Sequence, residues 1–206
     1  AVLAKPAEQT PLIAAAAVRL FHASGLDPRL LALIPGPGET VGANHCAHRA
    51  CDGVAFTGGV QTAQAITLLR AHRAGPIIPL IAETGGLNGL FVDTTAQREQ
   101  VIDDVMASAF GSAGQRCSAA RVLFVPQETA EGLIEGLKGA MDELVIGDPA
   151  SPATDIGPVI DEAARQALDR HLSDLRQRAK ILHQVEPDPS LSHGCFFGPV
   201  LAQISK

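Results

Sequence analysis

Aromatic residues are scarce in this chain, which contains seven Phe but neither Trp nor Tyr among its 206 residues. Proteins that bind single-stranded nucleic acids commonly stack the bases on exposed aromatic side chains. Positive charge is also in short supply, because 16 Lys and Arg stand against 22 Asp and Glu and give a net charge of −6. Such a balance lacks the basic surface that attracts a phosphate backbone. We therefore expect no nucleic-acid partner.

Long hydrophobic runs are missing as well. A membrane-spanning helix needs about 20 consecutive apolar residues, and no stretch of the sequence comes near that length. Residues 1–6 lack both the charged segment and the apolar segment of a secretory signal, and they lack an initiating Met. These absences predict no membrane span and a cytoplasmic location, and they suggest a chain cut from a longer polypeptide.

Closely paired cysteines of the CxxC type are absent. The four cysteines are Cys46, Cys51, Cys117 and Cys195. Their separations do not match the paired thiolates of a zinc site. The alternative is a cluster in which His45 and His48 join Cys46 and Cys51, but ligands so close together on a helix point in different directions. We expect no metal and a reduced chain.

Apolar strand-like segments alternate with helical patterns in the first part of the sequence. Segments 30–34, 54–56 and 79–82 are apolar runs that end in glycine turns, whereas segments 11–25 and 60–72 have helical spacing. Strands that are apolar on both faces and alternate with helices form parallel βαβ units. The sequence therefore predicts an α/β fold, with a Rossmann-like parallel sheet and flanking helices.

The alternation restarts after Gly86. The later segments with strand or helix patterning are 90–92, 101–109, 121–125, 133–141, 168–175 and 196–204. We place the boundary near Gly85 and Gly86, which gives a Rossmann-like portion at 1–86 and part of a second α/β domain at 87–206.

Glycine turns mark the expected ligand site. Gly36 and Gly38 follow one predicted strand, and Gly58 and Gly59 follow another. Ligands of parallel α/β sheets collect at the carboxyl ends of the strands, where a helix N-terminus can bind phosphate. We expect a cofactor there.

Two residues have chemistry suited to catalysis. Cys117 lies between a predicted helix and a predicted strand, beside Arg116, whose charge would favour the reactive thiolate. Glu83 ends an apolar strand before two glycines that permit close approach of a ligand, and a carboxylate there can act as a general base. The alternatives are an inert thiol and a capping or salt-bridged carboxylate.

Five motifs resemble those of aldehyde dehydrogenases in order and spacing. They are Lys5-Pro6-Ala7-Glu8, Pro35-Gly36, Phe56-Thr57-Gly58, Glu83-Thr84-Gly85-Gly86 and Gly114-Gln115-Arg116-Cys117. The resemblance runs through nearly all of the chain and is strongest to the pyrroline-5-carboxylate (glutamate semialdehyde) dehydrogenase branch. That branch includes the dehydrogenase half of bifunctional proline-utilization proteins.

The resemblance implies a mechanism for a small-molecule aldehyde substrate. Cys117 would attack the aldehyde carbon, with the oxyanion held partly by the Cys117 N–H, and hydride would pass to NAD to leave a thioester. Glu83 would activate the water that hydrolyses this thioester. Ser118 resembles the position that binds the distal carboxylate of the substrate, and Arg116 is assigned to the substrate as well.

The resemblance also implies that residues 1–86 are the NAD-binding portion and that residues 87–206 are a partial catalytic-type domain. Lys5 and Glu8 match residues that bind the adenosine ribose hydroxyls. The remaining residues assigned to NAD are Gly38 and Gly42 on the adenine side, Thr57, Gly58 and Gly59 beside the pyrophosphate, and Thr84.

The sequence departs from the family pattern in several places. Gly59 and Gln61 stand where Ser and Glu are usual, and Leu87 stands where Gln or Lys is common. Upstream and downstream segments that complete the family's active site are missing, so we expect low activity in isolation. We expect the remainder of the parent polypeptide or another subunit as a partner, and a homo-oligomer, since unpaired sheet edges invite association. The alternatives are a non-catalytic aldehyde-dehydrogenase-like structural domain of a proline-utilization protein and a free-standing dinucleotide-binding protein.

Overall fold

The structure is a computed structural model that describes residues 1–204. The chain divides into two compact units, Ala1–Gly85 and a second unit that begins at Gly86. No helix within the described residues is long and apolar enough to cross a membrane.

Parallel strand pairs joined by helices build the first unit. Its elements are β1 (Val2–Ala4), α1 (Pro11–Ala23), β2 (Leu31–Leu33), a π-helical turn (Gly38–Gly42), α2 (Ala43–Ala47), β3 (Val54–Gly58), α3 (Val60–Ala71) and β4 (Leu80–Thr84). β1 pairs with β2 and β3 pairs with β4, both in parallel, and each pair is a separate two-stranded sheet. The predicted parallel βαβ units are confirmed.

Local sequence signals set the ends of α1. Pro11 starts the helix, because its fixed φ suits the first turn, and Gly25 follows its end with φ +98°. Thr10 occupies the N-cap position but makes no capping hydrogen bond through its side chain. The helical spacing that predicted α1 does not lead to burial, since Ile13 is 76% exposed and no residue of the helix is buried.

The second unit combines a parallel and an antiparallel strand pair. Its elements are β5 (Asn88–Phe91), α4 (Arg98–Val105), a π-helical turn (Met106–Phe110), a 3-10 turn (Gly111–Gly114), β6 (Ala120–Phe124), α5 (Gln127–Asp142), α6 (Glu162–Arg178), β7 (Lys180–Gln184), a 3-10 turn (Pro189–His193) and β8 (Val200–Gln203). β5 and β6 are parallel, whereas β7 and β8 are antiparallel. The sequence patterns missed β7, because its polar residues break the apolar run that marked the other strands.

The core of the second unit lies between α4 and α5. Val101 and Val105 of α4 pack with Leu133 and Leu137 of α5, and Leu137 is 1% exposed. Residues of β5 and β6 pack against the same cluster, so the two helices cover one face of this strand pair. This packing fixes β5 and β6, and the segment around Cys117 lies directly before β6.

Removing part of this core should destabilise the second unit. We expect Leu137→Ala to lower the free energy of unfolding by about 2–5 kcal/mol, because it leaves a cavity among residues that cannot fully close it. Leu87→Ala makes the same change at a side chain that is 86% exposed, and should cost less than about 0.5 kcal/mol. Urea unfolding followed by far-UV circular dichroism measures both, and equal losses would contradict the described core.

The start of α6 is held by charged side chains. The Asp161 carboxylate accepts a hydrogen bond from the Ala164 N–H at 2.8 Å and caps the helix. Arg165 donates to both carboxylate oxygens of Glu162, at 2.6 and 2.8 Å. Hydrogen bonds from Arg165 and Gln166 lower the pKa of Glu162 to about 2.

This lowered pKa makes the stability contributed by Glu162 dependent on pH. A carboxylate with a depressed folded-state pKa stabilises the fold above its unfolded pKa of about 4.5, and that contribution is lost as the pH falls toward 2. We expect Glu162→Gln to lower the urea midpoint at pH 7 and to have a shrinking effect from pH 4.5 downward. A constant effect of Glu162→Gln from pH 7 to pH 3 would refute the ion pair.

Candidate active site

Cys117 and Ser118 occupy the tip of a tight turn that leads into β6. The Ala119 N–H donates to the carbonyl oxygen of Arg116 at 3.1 Å and closes the turn. Cys117 is a free thiol, and its side chain and that of Ser118 are exposed. We call residues 116–119 the cysteine turn. It presents a thiol and a hydroxyl on adjacent residues.

An asparagine side chain holds the cysteine turn from β5. Asn88 Nδ2 donates to the carbonyl oxygen of Cys117 at 2.7 Å and to that of Ala119 at 3.0 Å. The N–H of Ala120, the first residue of β6, donates to the Ser108 hydroxyl at 3.2 Å. The sequence patterns did not identify Asn88. The available signal was an Asn at the start of a strand, where this residue is disfavoured.

Gln115 connects the cysteine turn to a distant loop. Its Oε1 accepts from the Ile160 N–H at 2.8 Å, and its Nε2 donates to the carbonyl oxygens of Ser112 at 3.1 Å and Pro158 at 3.4 Å. Both ends of one amide side chain are therefore used. They tie residue 115 to residues 158–160.

Arg116 uses its guanidinium group for a structural contact. Its Nη2 donates to the carbonyl oxygen of Ala107 at 2.9 Å, which joins the cysteine turn to the π-helical turn before it. The roles predicted for Arg116, in favouring a thiolate and in binding substrate, stay predictions. The side chain is exposed.

The backbone before the cysteine turn is strained. Ser112, Ala113 and Gly114 have φ values of +56°, +53° and +66°, so three successive residues are left-handed. Such a conformation costs about 1–2 kcal/mol per non-glycine residue and is found where function requires a special path. A Cβ at Gly114 would lie 2.8 Å from the carbonyl oxygen of Ala109. Gly114 is thus required by both backbone angle and space.

Gly114→Ala should therefore destabilise the second unit by at least about 1 kcal/mol, because it adds left-handed strain and a backbone clash. Gly139→Ala is the matched control: Gly139 lies inside α5, and a Cβ there meets no atom within 4 Å. That change should instead stabilise the helix by about 0.5–1 kcal/mol. Urea unfolding measures the difference. Two effects of the same sign would show that the described backbone before Cys117 is wrong.

Four of the predicted cofactor residues lie together in the first unit. Lys5 Nζ donates to the carbonyl oxygen of Gly36 at 3.0 Å and lies 3.5 Å from Glu8 Oε1. That oxygen accepts from the Gly38 N–H, and a Cβ at Gly42 would lie 3.4 Å from Lys5 Cδ. Hydrogen bonds from the main-chain N–H groups of Glu8 and Gly38, with the charge of Lys5, hold the pKa of Glu8 below its usual value. An ionised carboxylate and an ammonium group are therefore fixed beside a glycine turn.

The other predicted cofactor residues lie at the carboxyl edge of the β3–β4 pair. Thr57 is the register partner of Glu83, and Gly58 is that of Thr84. Gly59 immediately precedes α3, and a Cβ there would meet no atom within 4 Å. The structure thus brings Glu83 beside the predicted phosphate turn. All five lie in the first unit and Cys117 lies in the second, so the meeting of Glu83 and Cys117 stays a prediction.

The alternative metal cluster is not formed. Among residues 1–204, no group of three or more His, Cys, Asp or Glu side chains could hold a metal ion. Cys46 is buried, and burial raises the pKa of its thiol. The Cys51 thiol donates to the carbonyl oxygen of Gly53 at 3.3 Å, and His48 Nδ1 accepts from the Ala50 N–H at 3.2 Å.

Comparison with known proteins finds relatives and structural neighbours that cover nearly the whole chain. The bifunctional protein PutA of Klebsiella aerogenes is 45% identical over 98% of the chain, which spans 16% of that relative. The crystal structure of proline utilization A from Bradyrhizobium japonicum superposes with a TM-score of 0.93 at 47% identity, over 98% of the chain and 20% of that protein. The structure of 1-pyrroline-5-carboxylate dehydrogenase from Thermus with bound NAD gives a TM-score of 0.88 at 28% identity, over 98% of the chain and 39% of that protein.

These structural neighbours confirm the predicted α/β fold. The family model described as "Aldehyde dehydrogenase family" matches residues 1–205, nearly the whole sequence. The chain therefore belongs to the aldehyde dehydrogenase family.

Proposed function

We propose that this chain supplies the NAD-binding portion and the nucleophile of an enzyme that oxidises glutamate 5-semialdehyde, the open form of pyrroline-5-carboxylate, to glutamate. The observation that carries the proposal is the cysteine turn, which exposes one thiol on a backbone fixed from several sides. The names of the relatives, PutA and 1-pyrroline-5-carboxylate dehydrogenase, support this substrate. Residues 1–86 would bind the cofactor, and residues 87–206 would form part of the catalytic domain.

Cys117 begins the reaction as a thiolate. Its sulfur attacks the aldehyde carbon, a C–S bond forms, and the carbonyl π electrons move to oxygen to give the thiohemiacetal oxyanion. No described residue accepts a hydrogen bond from the Cys117 N–H. This donor lies on the same residue as the sulfur and is free to stabilise the oxyanion.

Glu83 completes the reaction as a general base. NAD, when bound, supplies the acceptor for the hydride of the adduct, and this two-electron oxidation leaves a thioester on Cys117. Glu83 then takes a proton from water, whose oxygen attacks the thioester carbon. The C–S bond then breaks, which releases glutamate and regenerates the Cys117 thiolate. Ser118, exposed on the same turn, would bind the distal carboxylate of the substrate, together with the guanidinium nitrogens of Arg116 that are not used at Ala107.

The donor set of the first unit fits a dinucleotide. The Glu8 carboxylate can accept hydrogen bonds from ribose hydroxyls, and the Lys5 ammonium can donate to them. The exposed N-terminus of α3, at Thr57, Gly58 and Gly59, suits the pyrophosphate. The hydroxyl lost at Gly59 removes one phosphate hydrogen bond, worth about 0.5–1.5 kcal/mol. The main-chain N–H groups of the turn remain as donors for the pyrophosphate. Gly38 and Gly42 on the adenine side, and Thr84, are the other residues assigned to NAD.

We propose that this chain acts together with other polypeptide segments. The chain spans only a small share of its relatives' length, so the rest of an active site would come from the parent polypeptide or another subunit. Strand pairs with unpaired edges favour association, and we propose a homo-oligomer in the cytoplasm.

The proposal predicts selective reactivity of Cys117. We expect iodoacetamide to alkylate Cys117 about tenfold faster than the buried Cys46, and faster than the half-exposed Cys51 and Cys195. Millimolar NAD should change the rate at Cys117 and leave the rate at Cys195 unchanged. Peptide mass spectrometry of the chain measures all four rates.

Glu8→Ala provides the control for the cofactor, because it removes both carboxylate acceptors and should abolish the effect of NAD without changing the rate at Cys117 in its absence. Labelling of Cys117, Cys51 and Cys195 at one common rate, with no response to NAD, would contradict the enzyme. It would favour a non-catalytic structural domain of the same family.

A further inference from the structure

We infer that Asn88 is the positioning residue of the proposed nucleophile, holding the main chain of Cys117 so that the N–H and the Cα–Cβ bond that carries the thiol keep one relative orientation. The inference rests on the proposed function of Cys117. It concerns a residue outside the predicted set, which the geometry places against the cysteine turn.

The orientation of the Asn88 amide is determined by its partners. Both atoms within hydrogen-bond distance, the carbonyl oxygens of Cys117 and Ala119 at 2.7 and 3.0 Å, are acceptors only. The side-chain group that faces them must therefore be the NH₂, which supplies two donors. One amide thus binds two carbonyls of the same four-residue turn.

Holding these two carbonyls restricts the backbone at the nucleophile. The position of the Cys117 carbonyl depends on the ψ angle of Cys117, because the peptide that follows is planar. The bond from Ala119 N–H to the Arg116 carbonyl closes the turn at the other side. The Asn88 contact restrains the peptide group after Cys117, and the Ala119 contact restrains the peptide group before it. Together they restrict rotation of the Cys117 N–H relative to its Cα–Cβ bond and to the strand pair.

Asn88 belongs to the β5–β6 strand pair. It is the first residue of β5 and the register partner of Ala120 in β6, and the register shifts between Asn88 and Gly89. The pair packs against the core of α4 and α5 through Leu90 and Leu123. A group placed on a strand keeps its position better than one on a loop. Asn88 thereby connects the exposed residues of the turn, 116–118, to this strand pair, while the buried Ala119, 1% exposed, packs at the end of the turn.

Two reagents separate positioning from the intrinsic reactivity of the thiol. Iodoacetamide alkylates a thiolate by displacement of iodide and develops no oxyanion. p-Nitrophenyl acetate transfers its acetyl group to the sulfur through a tetrahedral oxyanion, with p-nitrophenolate as the leaving group, so its rate depends on an aligned N–H donor. The ratio of the acetylation rate to the alkylation rate at Cys117 therefore reports the alignment.

The variants remove the donors in two ways. Asn88→Asp keeps the shape of the side chain but replaces the NH₂ by an acceptor, and Asn88→Leu keeps the approximate size without charge. We expect both to lower the acetylation rate of Cys117 by about tenfold and to change the alkylation rate less than about twofold. Asn44→Asp is the matched control, because Asn44 is the only other Asn of the chain and is exposed. It should change neither rate.

A measurement on the unaltered chain covers the case in which the variants do not fold. With only two Asn, selective ¹⁵N-asparagine labelling gives two side-chain NH₂ signals. The Asn88 pair should exchange with solvent at least about tenfold more slowly than the Asn44 pair, because both of its protons are hydrogen-bonded. Two equally fast pairs would overturn the inference.

The outcomes separate the role of Asn88 from that of Cys117. Preferential alkylation of Cys117 in the unaltered chain, with an unchanged rate ratio in folded Asn88 variants, overturns the role of Asn88 and leaves the nucleophile standing. Equal slowing by both reagents also overturns it, since the change would then lie in the thiol. No preferential alkylation of Cys117 in the unaltered chain refutes the proposed function, and the inference falls with it.

Discussion

The hydrogen bonds that fix the cysteine turn are the constraint on which the rest of the site depends. Carbonyl oxygens of the turn accept from Asn88 on β5, and the Arg116 side chain binds the main chain of the π-helical turn before it. Gln115, next to the turn, binds a loop more than 40 positions away. Hydrogen bonds thus tie the turn to three separate segments, and Ala119 at its end is buried. The thiol of Cys117 stays exposed on a main chain that these contacts hold.

Residues 112–114, just before the cysteine turn, carry backbone strain. Three successive left-handed residues are unfavourable in themselves. Contacts along this segment offset part of the cost, including the hydrogen bond of 2.6 Å from Arg121 Nη2 to the Gly114 carbonyl oxygen. The main chain can then turn sharply between the π-helical turn and β6, which places Cys117 at a tip and not within a helix. The left-handed residues 112–114 and the hydrogen bonds of the cysteine turn together set the position of Cys117.

Sequence patterns predicted those features of the fold that follow from local chemistry. Pro11 and Gly25 bounded α1 because each acts through its own backbone angles. Alternating apolar segments predicted the parallel pairs, whereas β7 was missed because most of its residues are polar and break the apolar pattern. The cluster of Lys5, Glu8 and Gly38 came from a resemblance, since no local pattern specifies a contact across 30 positions.

Cys117, the proposed nucleophile, was singled out from the sequence, whereas the residues that hold its turn were not. An exposed reactive group cannot be held by hydrophobic burial, because the packing that would hold it would also cover it. It must be held from behind by polar side chains on neighbouring elements, as Asn88 and Gln115 do. Such residues leave no periodicity in the sequence, and their partners are main-chain carbonyls, which every residue has. Only the folded chain identifies which carbonyl each amide meets, so the support of an exposed catalytic group becomes evident in the structure and not in the sequence.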